Sequence, residues 1–256
     1  MKIAVTGKGG VGKTTFAAVL ARLYADEGHQ VLCADADPDA NLGLALGFSE
    51  EDLSKITPIS EMKEMARERT NAHQFENFFK LNPKVDDLPD MLAREINGVK
   101  LLLMGTVKEA GAGCVCPEHV ILKRLLSHLI VARGDVVIMD MEAGLEHLGR
   151  GTADSMDRFI VVVEPGARSI QTYHQIKKLA ADLGVGQVSV VANKVQSEQD
   201  EAFLRREIPA EDLLGMIHYC PEVAAADRDA RSPYDAAPAA VEEIRQIKQI
   251  MDKEGV

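Results

Sequence analysis

The chain has 256 residues, of which 46% are hydrophobic, and a formal net charge of −11. This length and composition fit one large α/β domain, and the acidic balance argues against non-specific nucleic-acid binding, which needs clustered Lys and Arg. No apolar run approaches the ~20 residues that span a bilayer, and the chain begins with a candidate strand instead of a signal peptide. We therefore expect a cytoplasmic protein with reduced thiols and with no membrane or nucleic-acid partner.

Short apolar runs alternate with longer helical patterns along the chain. The runs are nearly continuous in apolar residues, which is typical of parallel strands buried on both faces. The predicted strands are Lys2–Thr6, Val31–Ala34, Lys100–Met104, Val136–Asp140, Phe159–Val163, Gln187–Ala192 and Leu214–Ile217. The predicted helices are Lys13–Glu27, Glu61–Arg69, Pro117–Val131, Ser169–Leu183 and Pro238–Lys253. The alternation predicts an α/β fold, with a single doubly wound, mostly parallel sheet flanked by helices.

The segment Ser49–Val99 is long for a connection between parallel strands. It contains three prolines and an apolar cluster of Phe75, Phe78 and Phe79. We interpret it as a helical insertion around residues 49–99 that belongs to a single domain covering residues 1–256.

A glycine-rich loop joins the first predicted strand to the first predicted helix. It reads Gly7-Lys8-Gly9-Gly10-Val11-Gly12-Lys13-Thr14-Thr15 and matches the pattern G-x-x-x-x-G-K-[ST] in the context that this motif needs. Glycines let backbone N–H groups turn towards phosphate oxygens, and the helix N-terminus adds its positive dipole end. In such a loop Lys13 reaches the β- and γ-phosphates and the Thr14 hydroxyl binds Mg²⁺. The sequence therefore predicts a P-loop ATPase whose residues from Gly9 to Thr15 contact the nucleotide.

Lys8 is a second lysine, at the start of the same loop. The pattern K-G-G-x-G-K-T resembles the deviant P-loop ATPases, which include the MinD, ParA, nitrogenase iron protein and arsenite-pump groups. In that class the early lysine reaches across a face-to-face dimer to the partner's nucleotide. The resemblance implies an ATP-gated homodimer in which Lys8, together with Lys13, stabilises the charge of the transition state.

Two acidic segments follow predicted strands and complete the candidate site. The residues from Asp35 to Asn41 read D-A-D-P-D-A-N and resemble the first switch of the same class. That match implies that Asp37 orients the attacking water and that Asp35 and Asn41 lie near Mg²⁺, although these residues could instead only cap the next helix. In the second segment, four apolar residues lead to Asp140, as in a strand that delivers an acid to Mg²⁺. Gly144 would then sense the γ-phosphate through its backbone.

The run that begins at Asn193 bears on which base is bound. Asn193-Lys194-Val195-Gln196 starts like the guanine-reading pattern N-K-x-D, but Gln196 stands where the acid would accept from the guanine amino group. We therefore expect ATP as the nucleotide, with Asn193 and Lys194 among its contacts. The loop His218–Pro221 is the expected second side of the base site.

Cys114 and Cys116 are separated by one residue, with glycines before them and Pro117 after them. These flanks favour an extended backbone, on which residues i and i+2 point to the same side, so two thiolates could face one ion. Soft metal ions favour four ligands, and a two-fold dimer would supply two cysteines from each subunit. A chance spacing or a redox pair are the alternatives, although a disulfide between residues i and i+2 is strained. Cys33 ends a buried strand and is expected to be an inert core thiol.

These motifs together resemble those of the CooC-type nickel-inserting ATPases, which mature carbon monoxide dehydrogenase, and of the similar factor for acetyl-CoA synthase. The resemblance covers almost the whole chain and is most specific from Met139 to Thr152, which reads M-D-M-E-A-G-L-E-H-L-G-R-G-T. It implies that Cys114 and Cys116 bind Ni²⁺, or Zn²⁺ in its place, at the dimer interface. It also implies that ATP binding and hydrolysis gate delivery to one of these client enzymes. The loop around His218 departs from the family pattern, in which a proline is usual there.

Two other classes of protein share the loop and the dimer. An iron–sulfur reductase of the nitrogenase iron protein type would take its two cysteines per subunit from separate loops, not from one C-x-C. A positioning ATPase of the MinD or ParA type would need a basic amphipathic tail or a basic patch. The tail Val241–Val256 mixes acidic and basic residues and is not basic.

Overall fold

The computed structural model describes residues 1–72, 80–105, 117–131, 136–142, 156–185 and 187–254, with only the backbone at 119, 130 and 131. The strands in these ranges are β1 (Lys2–Thr6), β2 (Val31–Asp35), β3 (Arg94–Ile96), β4 (Val99–Leu103), β5 (Val136–Asp140), β6 (Arg158–Val163), β7 (Val188–Val195) and β8 (Leu213–His218). The α-helices are α1 (Lys13–Asp26), α2 (Leu42–Leu46), α3 (Glu50–Ser54), α4 (Lys63–Thr70), α5 (Leu88–Leu92), α6 (Pro117–Val131), α7 (Ala167–Leu183), α8 (Glu198–Glu207), α9 (Pro221–Arg228), α10 (Pro233–Ala236) and α11 (Pro238–Lys253). A 3-10 helix covers Ile59–Glu61.

The strands form one sheet in the order β3-β4-β2-β5-β1-β6-β7-β8. Neighbouring strands are parallel except β3 and β4, which are antiparallel. Successive residues of a strand face opposite sides of a sheet. In β1, Ile3 and Val5 face a core shared with α1 and α11, whereas Ala4 faces a second core shared with α6 and α7. Helices therefore cover both faces, and the predicted doubly wound, mostly parallel α/β fold is confirmed.

All the strands predicted from apolar runs are present. β1 and β5 have their predicted bounds, and β7 extends three residues beyond its predicted end, to Val195. The helices α6 and α11 also have their predicted bounds, and α1, α4 and α7 begin and end within two residues of theirs. None of the described helices combines the length and the apolar character needed to cross a membrane.

The described part of the segment between Ser49 and Val99 contains α3, the 3-10 helix, α4 and α5. It also contains β3, which was not among the predicted strands. β3 pairs with β4 through a tight turn in which Asn97 and Gly98 have φ values of 50° and 76°. Positive φ at two successive residues is the backbone of a two-residue hairpin, for which Asn-Gly is a favoured pair. This segment therefore ends by adding an antiparallel edge strand to the sheet.

Candidate nucleotide-binding site

The phosphate loop (Gly7–Thr14) connects β1 to α1 and is shaped by its glycines. Gly10 and Gly12 have φ values of 82° and 96°, a region that other residues rarely adopt. A Cβ at Gly7 would lie 2.4 Å from the carbonyl oxygen of Val162, and one at Gly12 would lie 2.2 Å from Asn193 Nδ2. The loop therefore packs against the ends of β6 and β7 so closely that side chains at these positions would not fit.

Thr14 and Asp140 meet where Mg²⁺ would be expected. Thr14 Oγ1 donates a hydrogen bond of 2.6 Å to Asp140 Oδ2, and Asp140 is fully buried at the end of β5. Asp140 Oδ1 is also buried, and it has no hydrogen-bond partner within the described ranges. Burial raises the pKa of Asp140 to about 6, against the lowering effect of Thr14 and of nearby Lys13. A buried carboxylate oxygen without a donor, beside a threonine hydroxyl, fits a Mg²⁺ ligand set.

The described part of the chain contains no cluster of three or more His, Cys, Asp or Glu side chains spaced to hold a metal ion. In nucleotide sites Mg²⁺ is usually held by one or two protein groups together with substrate phosphates and waters. Thr14 and Asp140 would be those protein groups here.

The first switch segment (Asp35–Asn41) begins at the end of β2, beside Asp140. Asp35 is buried, and its two carboxylate oxygens accept the backbone N–H groups of Asp37, at 3.2 Å, and Leu42, at 3.0 Å. Burial and the neighbouring Asp140 raise the pKa of Asp35 to about 7. Asp37 Oδ2 lies 3.6 Å from Lys13 Nζ. The carboxylate of Asp35 thus binds the backbone on both sides of the segment, at Asp37 and at Leu42. These bonds fix the chain so that the Asp37 side chain faces Lys13 of the phosphate loop.

Asn193 and Lys194, at the end of β7, lie on the other side of the phosphate loop. Asn193 Nδ2 donates to the Val11 carbonyl oxygen at 2.8 Å, and its Oδ1 accepts the N–H of Lys194 at 2.9 Å. Lys194 Nζ donates to the Gly10 carbonyl oxygen at 2.5 Å and lies 3.6 Å from Glu164 Oε2. Both residues therefore contact the loop itself.

A cleft of about 780 Å³ extends from the phosphate loop to the loop after β8. One end is polar and includes Lys8, Gly9, Gly10, Gly12, Lys13, Thr14, Thr15, Asp37, Asn193 and Lys194. The other end is mostly apolar and includes Phe16, Leu44, Ile217, Val223, Pro233 and Ile244. A cleft with phosphate-binding groups at one end and apolar walls at the other is suited to a nucleotide.

The loop His218–Pro221 borders the apolar end of this cleft. His218 is tied to α11, because its backbone N–H donates to Glu243 Oε2 at 2.8 Å and its Nδ1 lies 2.7 Å from Glu243 Oε1. The contact with Glu243 raises the pKa of His218. Cys220 donates its thiol to Glu222 Oε2 at 3.0 Å, and burial raises its pKa.

The structure brings together most of the residues that the sequence singled out. Val11, Asp35 and Asp140 are buried directly behind the cleft wall. Gly144, Cys114 and Cys116 lie outside the described residues. Cys33 is fully buried, and burial raises the pKa of its thiol, as expected of a core thiol.

Two contacts at the site were not anticipated from the sequence. The fully buried Thr6 donates its hydroxyl to the Glu142 carbonyl oxygen at 2.7 Å and so joins the start of the phosphate loop to the segment after β5. The other is the contact of Glu164 with Lys194. A polar residue at the carboxyl end of each central strand was the available signal for both, since such ends meet at the ligand edge of a parallel sheet.

Comparison with known proteins shows which family the sequence matches. Residues 2–233 match the family of CobQ/CobB/MinD/ParA nucleotide binding domains. The chain is 50% identical over 240 residues to the carbon monoxide dehydrogenase accessory protein CooC of Rhodospirillum rubrum, which covers 93% of this chain and 91% of that protein. It is 46% identical over 253 residues to an uncharacterized ATP-binding protein of Methanocaldococcus jannaschii, which covers 96% of each.

Solved structures show the same fold at low sequence identity. The septum site-determining protein MinD of Pyrococcus horikoshii, complexed with Mg-ADP, has a TM-score of 0.67 and 21% identity, over 98% of this chain and 95% of that chain. A plasmid partition protein from Borrelia burgdorferi has a TM-score of 0.66 and 15% identity, over 98% of this chain and 97% of that chain. At these identities the likeness concerns the fold alone.

Proposed function

The chain belongs to the CobQ/CobB/MinD/ParA family of nucleotide-binding domains and, within it, to the CooC-type proteins, and from this we propose that it is an ATP-dependent nickel chaperone. In this proposal ATP binding and hydrolysis control a homodimer, and Cys114 and Cys116 of both subunits hold Ni²⁺, or Zn²⁺ in its place. The cargo is delivered to carbon monoxide dehydrogenase or acetyl-CoA synthase. The observation that carries the ATPase part is the meeting of Lys13, Thr14, Asp37 and Asp140 at one end of the cleft.

The hydrolysis step uses groups from three strand ends. Lys13 and the loop N–H groups hold the β- and γ-phosphates, and Asp37 orients a water molecule for attack on the γ-phosphorus. As the water oxygen bonds to phosphorus, the bond to the ADP oxygen breaks, and Lys13 with the partner's Lys8 offsets the charge that develops. Mg²⁺, held by Thr14 and Asp140, neutralises phosphate charge when bound.

The cysteine segment begins beside the first switch segment, which supports a coupling between nucleotide and cargo. β2 and β4 are neighbours, and the carbonyl oxygen of Asp35 accepts the N–H of Met104 at 2.9 Å. The chain then runs from Gly105 to Pro117 at the start of α6, and Cys114 and Cys116 lie between them in sequence. In this proposal, a shift of the first switch on hydrolysis is passed to the cysteine segment through the hydrogen bond between Asp35 and Met104.

The proposal requires a dimer because each chain supplies one pair of cysteines. Lys8 lines the cleft and is partly exposed, as a residue that reaches a partner's nucleotide must be. Two Cys-x-Cys pairs related by a two-fold axis give the four soft ligands that Ni²⁺ or Zn²⁺ accepts in tetrahedral or square-planar geometry.

Metal analysis of the purified, reduced protein tests this function. We expect about one Ni²⁺ or Zn²⁺ bound per dimer, as four thiolates per ion require, and none retained by a Cys114→Ala/Cys116→Ala variant after the same dialysis. Cys220→Ser is the matched control, since it also removes a thiol but should leave metal binding unchanged. Equal metal content in the double variant and the unaltered protein would refute the nickel site.

The same preparation distinguishes the alternative functions. A brown chromophore after anaerobic reconstitution with iron and sulfide, lost in the double cysteine variant, would favour an iron–sulfur reductase. ATP-dependent sedimentation with vesicles or DNA would favour a positioning ATPase.

A further inference from the structure

Two successive carbonyl groups of the phosphate loop point towards the end of β7 and are bound there by side chains. The Gly10 carbonyl oxygen accepts from Lys194 Nζ at 2.5 Å, and the Val11 carbonyl oxygen accepts from Asn193 Nδ2 at 2.8 Å. These bonds join the nucleotide loop to a strand more than 180 residues away in sequence.

The bonds decide where the loop N–H groups point. In a trans peptide the N–H is directed opposite to the C=O of the same plane. With the Gly10 and Val11 carbonyls turned towards β7, the N–H groups of Val11 and Gly12 are turned away from it. The Val11 N–H donates to the Lys8 carbonyl oxygen at 3.4 Å, and the positive φ values of Gly10 and Gly12 allow this sequence of peptide orientations. Lys194 and Asn193 thereby fix the orientation of two peptides of the phosphate loop.

Lys194 is itself held in a defined place. Its backbone has a φ of 59°, which is uncommon for a residue other than glycine, and its N–H donates to Asn193 Oδ1. Glu164 Oε2 lies 3.6 Å from its ammonium group. Glu164 follows β6, and its backbone N–H donates to the buried hydroxyl oxygen of Ser169 at 3.0 Å, which fixes the turn that carries it. A backbone conformation with a strain cost, retained at a ligand site, indicates a functional constraint.

We propose that Lys194, positioned by Glu164, acts on the phosphate loop and not on the base. It is a positioning residue for nucleotide phosphates: its ammonium group fixes the Gly10 peptide, and Glu164 fixes the ammonium group. The inference rests on the nucleotide-binding part of the proposed function only, and it does not depend on nickel, on the dimer or on the client enzyme.

Equilibrium binding of MgADP and of adenosine to the full chain separates the two roles. Lys194→Ala should weaken MgADP binding by about tenfold, the effect of losing one charge-assisted hydrogen bond at a partly exposed site, and adenosine binding by less than about twofold. Lys194→Arg, which keeps the cation, should recover most of the MgADP affinity. Glu164→Gln should give a smaller loss, about threefold, because the lysine remains but is less well held.

Equal losses for MgADP and adenosine in Lys194→Ala would show that Lys194 contacts the base or ribose, and would overturn the proposal. Unchanged MgADP binding by a folded Lys194→Ala protein would overturn it as well. If Lys194→Ala fails to fold, Glu164→Gln decides between the outcomes. A loss of affinity for MgADP but not for adenosine supports the positioning role of Lys194, and unchanged affinity for MgADP refutes it. Failure of the unaltered protein to bind MgADP would instead refute the proposed ATPase.

Discussion

Asp35 and Asp140 stand opposite each other in the register of β2 and β5, and both are buried. Burial is the larger cause of the raised pKa of each, about 7 for Asp35 and about 6 for Asp140, and for Asp35 the neighbouring Asp140 adds to it. Two buried, neighbouring carboxylates raise the free energy of the folded state when both are ionised, unless a cation between them offsets their charge. In the nucleotide-free protein this pair therefore keeps its protons to a higher pH than it would in an unfolded chain.

The pH dependence of stability follows from this pair. An acid whose folded pKa is raised stabilises the fold below its unfolded pKa of 3.8, and this contribution is lost as pH rises through the folded pKa. The free energy of unfolding of the nucleotide-free protein should fall between pH 5 and pH 8, by on the order of 2–4 kcal/mol. Urea denaturation at a series of pH values measures this fall in the free energy of unfolding.

An Asp35→Asn variant is the control for that slope. It removes the carboxyl with the higher pKa of the two, so the fall with pH should be reduced by more than half whatever the variant does to absolute stability. His218, whose pKa is also raised, contributes with the same sign but is left in place in both proteins. Saturating MgADP should flatten the slope further. A stability that rises from pH 5 to pH 8 would contradict the assignment.

The individual residues of the phosphate end could be read from the sequence because each belongs to a motif with fixed spacing after a strand. The roles of Asp35 and Asn193 could not be read in the same way. Asp35 uses both carboxylate oxygens on backbone N–H groups, which depends on the path of the chain to Leu42. Asn193 contacts Val11 across the sheet edge, and it lies where the pairing of β7 with β8 is irregular, between Ala192 and Val195.

Strands that are buried on both faces could be predicted from the sequence. A strand that forms only because it pairs with a neighbouring strand could not. β5 and β6 are short, nearly continuous apolar runs rich in β-branched residues, which is the pattern of strands buried on both faces. β3 has three residues, two of them charged and exposed, and is a strand only because it pairs with β4. Its one sequence signal was Asn97-Gly98 between two short runs, which predicts a two-residue hairpin.

Gly105 marks the junction between β4 and the cysteine segment, and it tests how tightly the insertion packs there. Its φ is 68°, and an added Cβ would lie 2.2 Å from Ser60 Oγ and 2.9 Å from Pro58 Cβ. Gly105→Ala should therefore lower the free energy of unfolding by about 2–4 kcal/mol, through backbone strain and steric overlap. The urea midpoint should fall while its slope stays the same.

Gly9→Ala is the matched glycine control. A Cβ at Gly9 would have no other atom within 4 Å, so its effect on stability should stay within about 0.5 kcal/mol. Adding Ser60→Gly to Gly105→Ala should recover part of the loss, because the two residues are in contact and their effects should couple. If Gly105→Ala were as stable as Gly9→Ala, the 3-10 helix would not pack on this turn.

At the scale of the whole molecule, α11 runs from the cleft, at the carboxyl end of β8, to the other end of the sheet, where β6 begins. Glu243 near its start binds His218, and Lys248 further along is buried and bonds Glu27 and Asp252 at 2.6 and 2.7 Å. Beyond its end, Glu254 pairs with the buried Arg158 at 2.8 Å. The sequence predicted this helix and its bounds from its apolar period. It could not predict the contacts of this helix with His218, Glu27 and Arg158, because they depend on how the helix packs on the sheet, whereas Lys248 and Asp252 are an i,i+4 pair within the helix.

The proposed homodimer involves more than one chain, and variants of Lys8 and Asp37 allow it to be tested. Light scattering after size-exclusion chromatography, with ATP or ADP in metal-free reducing buffer, measures the mass, and phosphate release measures turnover. Lys8→Ala should bind ATP yet remain monomeric, because the cation proposed to reach the partner's nucleotide is removed. Asp37→Asn should bind ATP and persist as a dimer, because the water is no longer oriented for attack.

Both variants should lose turnover, by about 100-fold or more, so only the mass separates them. Lys13 contacts Asp37 at 3.6 Å, and the asparagine keeps that side chain's size, so the loop should stay intact in Asp37→Asn. A monomeric Asp37→Asn protein in ATP would refute the role of Asp37, because a trapped nucleotide must leave the dimer closed. ATP-dependent dimers of Lys8→Ala with normal turnover would refute the action of Lys8 across the interface, and with it the shared four-thiolate site that this dimer would assemble.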